Sequence, residues 1–141
     1  MSASFESAKE LREVIDAVFT MMDSDPEMGP KLREADTPQR FEFSDFDAVV
    51  NVRGTTDDED GNLHWVWSDD VDWESKVQMT FSSEVANRYF QGKENVPMAV
   101  ARRRIKTSGD LKAALALIPI TKPIYAQYRE YLEREKPHLL V

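Results

Sequence analysis

Lys76-Val77-Gln78-Met79-Thr80-Phe81 is the stretch that decides the fold. Val77, Met79 and Phe81 fall on one side of an extended chain and Lys76, Gln78 and Thr80 on the other, the period of two expected of a strand with one buried face. Ser82 or Ser83 then caps a short helix over Glu84–Gln91, with Val85, Ala86, Tyr89 and Phe90 apolar and Gly92 just past its end. Upstream the same period recurs. Phe41 and Phe43 alternate with Arg40 and Glu42, Asp47–Arg53 predicts a strand ended by Gly54, and Leu63, Trp65 and Trp67 share a face. The polar links Thr55–Asn62 and Ser68–Glu74 are short, which predicts an antiparallel meander rather than βαβ units.

Helical periods flank this block. Phe5, Ala8, Leu11, Ile15, Val18 and Met22 recur at spacings of three and four, with Val14 and Phe19 widening this stripe of an amphipathic helix. A second helix starts at Asp25-Pro26 and carries Met28, Leu32 and Ala35. Downstream, Met98–Thr107 predicts a fifth strand ended by Ser108-Gly109. Asp110–Ile118 is helical, with Leu111, Ala114, Leu115 and Ile118 on one side, and Pro119 stops it. Thr121 caps a last helix bearing Ile124, Tyr125, Tyr128 and Leu132. With no repeat and no linker, residues 1–141 are expected to form a single α+β domain.

Composition excludes several classes of function. There is no cysteine, so neither disulfides nor thiolate chemistry enters and a reducing compartment is expected. The polar start, Met1–Lys9, lacks the apolar centre of a secretory signal. No apolar run approaches the roughly 20 residues of a membrane helix, so the expectation is a cytoplasmic chain without stable membrane insertion. The net charge of −8 argues against nucleic-acid binding. It is unevenly spread: residues 1–74 carry 20 acids and 6 bases, residues 75–141 carry 6 acids and 12 bases.

Catalytic patterns are missing. His64 and His138 are the only histidines, and neither stands in a metal spacing or beside a nucleophile motif. The loop Asp57-Asp58-Glu59-Asp60-Gly61 resembles a calcium loop superficially, but with Gly61 at its sixth position Trp67 falls where the twelfth-position carboxylate belongs. No catalytic residue, metal site or cofactor is therefore expected. The inward aromatic and methionine positions Phe43, Trp65, Trp67, Met79, Phe81, Phe90 and Tyr125 form either a filled core or the wall of a ligand cavity, and periodicity does not distinguish the two. Alternation along Ala101–Thr107 adds Ala101, Arg103 and Ile105 on the apolar side and turns Arg102, Arg104 and Lys106 outward. A guanidinium in that layer needs either an internal acid such as Asp47 or Glu42 or the anionic head of a ligand.

The order of elements carries a resemblance. Val77–Ser82, the turn Phe90-Gln91-Gly92-Lys93-Glu94-Asn95-Val96-Pro97, Ala99-Val100-Ala101-Arg102, Ile105-Lys106, Gly109-Asp110-Leu111 and Leu115-Ala116-Leu117-Ile118-Pro119 together resemble the sterol carrier protein type-2 family, in its small stand-alone bacterial form. The resemblance implies a five-stranded, mostly antiparallel sheet with helices over one face and an apolar tunnel between them. It adds Leu111, Leu115 and Ile118 to the tunnel wall. One departure is that the family often has Gly where this chain has Arg103. The resemblance implies a carrier that binds a fatty acyl, acyl-CoA or other lipid-like or aromatic molecule without changing it. The alternative is an accessory protein with a closed pocket that docks an enzyme partner, or a homodimer.

Overall fold

The computed structural model describes residues 4–141, so the first three residues of the polar N-terminal stretch lie outside it. Five strands form the sheet: β1 (Gln39–Phe43), β2 (Ala48–Gly54), β3 (Leu63–Val66), β4 (Val77–Phe81) and β5 (Ile105–Gly109), in the order β3-β2-β1-β4-β5. The helices are α1 (Ala8–Ser24), α2 (Met28–Ala35), α3 (Ser83–Phe90), α4 (Val96–Ala101), α5 (Leu111–Ala116), α6 (Ile118–Thr121) and α7 (Ile124–Glu135), followed by a 3-10 turn at Pro137–Leu139. The fold is α+β.

The expected meander covers only β1, β2 and β3. The next strand does not add beside β3; it returns to pair in parallel with β1, Phe41 lying opposite Met79 and Phe43 opposite Phe81. Residues 68–76 therefore cross behind β2 and β1 on the sheet's outer face. Polar side chains there hold them: Arg40 Nε reaches Asp69 at 2.7 Å, Asn51 Nδ2 donates to the Ser68 carbonyl at 2.7 Å, and Arg53 lies 4.8 Å from the Trp73 ring. Trp67 lies just past the end of β3, before this crossing.

The inner face reads Phe41 and Phe43, Val50 and Val52, Val77, Met79 and Phe81, as the alternation predicts. Against it packs the α1 stripe of Leu11, Val14, Ile15, Val18, Phe19 and Met22, all buried. A second, smaller cluster gathers Val96, Ala99 and Ile105 under Met79, Phe81, Val85 and Tyr89. At Gly109 (φ +83°) a side chain would run into the Lys76 carbonyl, so glycine is needed where β5 closes on the chain entering β4.

Residues 96–104 correct the expectation of a long fifth strand. Asn95 caps α4, its side chain accepting from Met98 N at 3.0 Å, and Pro97 sits in the first turn. The helix closes with paired hydrogen bonds, Arg104 N to the Ala99 carbonyl at 2.8 Å and Arg103 N to that of Val100 at 3.1 Å, around Arg103 at φ +60°. This is a Schellman ending, whose left-handed position is normally glycine. The strand begins only at Ile105. Arg103 and Ala101 are both exposed, so neither lies on the inner face. The proposed internal acids are also elsewhere: Glu42 pairs with Arg40 at 3.6 Å, and Asp47 is exposed.

Arg103 therefore stands at a helix ending, not on the inner face of a strand. A left-handed L-residue costs about 1 kcal/mol. Arg103→Gly is expected to leave urea-unfolding stability unchanged or raise it by up to about 1 kcal/mol, the gain being reduced by glycine's freer unfolded chain. A clear loss would mean that the Arg103 side chain makes a stabilising contact.

Candidate functional site: an apolar cavity between the sheet and the short helices

A cavity of about 100 Å³ lies at the seam between the two hydrophobic clusters. Its floor is the inner face of the sheet, with Phe41, Val52, Leu63, Met79, Phe81 and Ile105. Phe19, Met22 and Leu32 close one side, Val85, Ala86, Tyr89, Phe90 and Val96 another. Leu111, Ala114, Leu115, Leu117 and Ile118 cover it. The cover is the weakest wall, because α5 and α6 have six and four residues and bury only Ala114 and Thr121 respectively.

Polar atoms are few. Gln39, Tyr89 and Thr121 are the polar side chains on the wall. Thr121 Oγ1 turns back to the Leu117 carbonyl at 3.1 Å. Burial pushes the Tyr89 hydroxyl up to about 12, beside the hydroxyls of Thr121 and Tyr125. Thr107, opposite Met79 in the sheet, has its hydroxyl buried without a hydrogen-bond partner among the described residues.

The expected residues divide into two groups. Met79, Phe81, Phe90, Ile105, Leu111, Leu115 and Ile118 line the cavity. Phe43 is instead core, its ring 5.9 Å from Trp67 and 5.5 Å from Phe81. Trp65 stands behind Phe19, ring centres 5.5 Å apart, and the indoles of Trp65 and Trp67 donate to Asp16, at 3.0 and 2.7 Å. Tyr125 backs Tyr89 at 6.2 Å. Ala101 and Arg103 are outside altogether. The α1 and α2 contributors, Phe19, Met22 and Leu32, were legible as apolar stripe positions but not as wall.

All 4 tyrosines, Tyr89, Tyr125, Tyr128 and Tyr131, are raised above the ordinary value of 10.0, in each case first by burial. A raised acid stays protonated in the folded chain while the unfolded one ionises, so stability is intact below pH 10 and falls as pH rises past it. Tyrosinate absorbance should therefore stay low in the native state above pH 10 and appear with unfolding. A smooth native-state titration centred on 10 would contradict that burial.

Neither histidine lines the cavity. His64 packs 5.7 Å from Trp73 on the outer face. His138 Nε2 lies 3.1 Å from Glu10, where ligand atoms of Glu6, Glu10 and His138 stand within 4.8 Å of one another. Lys136 Nζ also reaches Glu10, at 3.5 Å, and supplies the positive charge there. Burial pushes the Glu10 carboxyl up, but the Glu6 backbone N–H, His138 and Lys136 outweigh it and hold the group below its ordinary value.

The mixed five-stranded sheet with its covering helices has the fold of sterol carrier protein 2 domains. The sterol carrier protein 2 of Yarrowia lipolytica, in its apo form, superposes with a TM-score of 0.58 at 16% identity, covering 89% of this chain and 98% of that one. The ubiquinone synthesis protein UbiJ-SCP2 gives 0.61 at 7% identity, over 86% and 95%. A double mutant of the sec-alkyl sulfatase PisA1 gives 0.58 at 15% identity, covering 74% of this chain, which spans only 16% of the sulfatase's length. No family model and no curated protein sequence matches the chain. Among the described residues, no helix is long and apolar enough to cross a membrane.

Proposed function

We propose that this chain is a non-enzymatic binding or carrier domain for a hydrophobic ligand of the acyl, lipid-like or aromatic class. The observation that carries the reading is the cavity, apolar almost throughout and set at the seam of the two hydrophobic clusters. Its wall offers no acid, histidine or amine among the described residues, which supports binding without chemistry. The similar structures support it too, since their names join this fold to sterols, to ubiquinone synthesis and to alkyl sulfates.

Size narrows the ligand. A cavity of about 100 Å³ is below the roughly 300 Å³ of a typical preformed pocket, and nearer the ~150 Å³ void that takes up benzene. It accepts a ring or the end of an acyl chain as it stands. A longer chain must displace α5 and α6, so a rigid sterol is disfavoured. Each CH₂ buried contributes about 0.8 kcal/mol. Titration with medium-chain fatty acids, their acyl-CoA forms and aromatic acids should give saturable one-to-one binding and a rise in Tm. If none of them moves Tm up to its solubility limit, the carrier reading fails.

A further inference from the structure

The exposed side of α4 is unusual. Val96 and Ala99 turn inward, Val96 forming cavity wall, while Pro97, Met98, Ala101 and Arg102 face out. That outer face is apolar until Arg102, and Met98 is 47% exposed, the most exposed large hydrophobic residue among those described. Met98 and Arg102 stand one turn apart, Arg102 N donating to the Met98 carbonyl at 2.9 Å. Between residues 93 and 106 the chain carries five bases, Lys93, Arg102, Arg103, Arg104 and Lys106, against the single acid Glu94, in a molecule of net charge −8.

Glu94 is already engaged. Its side chain, 1% exposed, holds Arg88 at 3.3 Å and also Arg104. Arg102 and Arg103 make no ion pair among the described residues. Arg103 keeps a charged side chain at φ +60°, where glycine would relax the backbone. The two hydrogen bonds of the helix ending hold that strained backbone, and the charged side chain it carries is left facing solvent.

We infer that the α4–β5 corner is a peripheral docking surface for anionic lipid bilayers, with Met98 entering the interface and Arg102 and Arg103 contacting headgroup phosphates. Charge complementarity selects this occupant, and an apolar side chain among cations suits an interface that is apolar just beneath its charge. The acidic remainder of the molecule is repelled, so one orientation is favoured. That orientation sets the α4 wall of the cavity against the membrane, where an apolar ligand would be collected or delivered.

Flotation with phosphatidylcholine vesicles, with and without phosphatidylglycerol, tests it on the full chain. The wild type should bind only the anionic vesicles, and less as salt rises. Arg102→Gln and Arg103→Gln should each weaken binding about fivefold, at about 1 kcal/mol per cation. Met98→Ser should weaken it without changing the salt dependence. Arg103→Gly should bind vesicles less while melting no lower than wild type, which separates lost docking from lost folding. Equal binding to both vesicle types, or wild-type binding by a variant carrying both Arg102→Gln and Arg103→Gln, overturns the inference. Ligand titration in vesicle-free buffer should be unaffected by these variants. Failure of that titration with vesicle binding intact would overturn the carrier reading and leave the docking surface standing.

Discussion

Asn87→Leu should destabilise the chain by about 2–4 kcal/mol in urea unfolding, the largest single-residue loss expected away from the aliphatic core. Asn87 is 1% exposed and joins three elements. Its Nδ2 donates to the Leu139 carbonyl at 2.8 Å, while its Oδ1 accepts from the Tyr128 hydroxyl at 2.7 Å and from Gln91 Nε2 at 3.1 Å. Leucine keeps the branching and the number of heavy atoms and removes all three bonds. The Leu139 carbonyl keeps Gln91 Nε2 at 2.9 Å, but the fully buried Tyr128 hydroxyl has nothing left. An orphaned buried hydroxyl costs about 1–3 kcal/mol, on top of the lost bonds. A second change checks the cause. Tyr128→Phe should be harmful alone yet recover about 1–2 kcal/mol in the Asn87→Leu background, because it deletes the orphan. If Tyr128→Phe costs the same in both backgrounds, the pair is not coupled as described.

Ala114→Leu is expected to abolish most ligand affinity while leaving the fold intact. Ala114 is the buried residue of α5 and points into the cavity. Leucine adds three carbons in space a ligand would use. Displacing about three CH₂ groups forfeits about 2.4 kcal/mol, roughly a 50-fold loss in affinity for a medium-chain acid. Because the added carbons enter a void, Tm should hold or rise, unlike the 1–3 kcal/mol cost of overpacking a filled core. Unchanged affinity would mean that the ligand sits elsewhere.

Most of the sheet was legible because strand burial writes itself at a period of two. Val77, Met79 and Phe81 could be placed on one face without knowing what covered them. Two things were not legible. The parallel return of β4 to β1 depends on Arg40, Asn51 and Arg53 holding residues 68–76 across the outer face, long-range pairs that no local pattern announces. The α4 helix was hidden because Met98–Thr107 also reads as a strand. The deciding signals were local: the Asn95 cap, Pro97 in the first turn and a helix ending usually marked by glycine but here occupied by arginine. The site suffered likewise. Periodicity separates inside from outside, but Phe43 and Phe81 have the same pattern and only Phe81 borders empty space.

The Asn87–Gln91–Leu139 junction also sets an order in time. Asn87 and Gln91, on and just beyond α3, are satisfied by a carbonyl some fifty residues downstream, and Arg129 and Gln91 then hold Val141. During synthesis α3 leaves the ribosome long before its partner exists. Until residue 139 emerges, Asn87, Gln91 and Tyr128 have only one another or water, in a position the finished molecule keeps dry. The sheet's own last strand, β5, comes out earlier and can close first. The emerging chain should therefore pass through a stage with its sheet paired but α3 and α7 unlocked, and the final helix should act as the closing step rather than as an ornament on a finished domain.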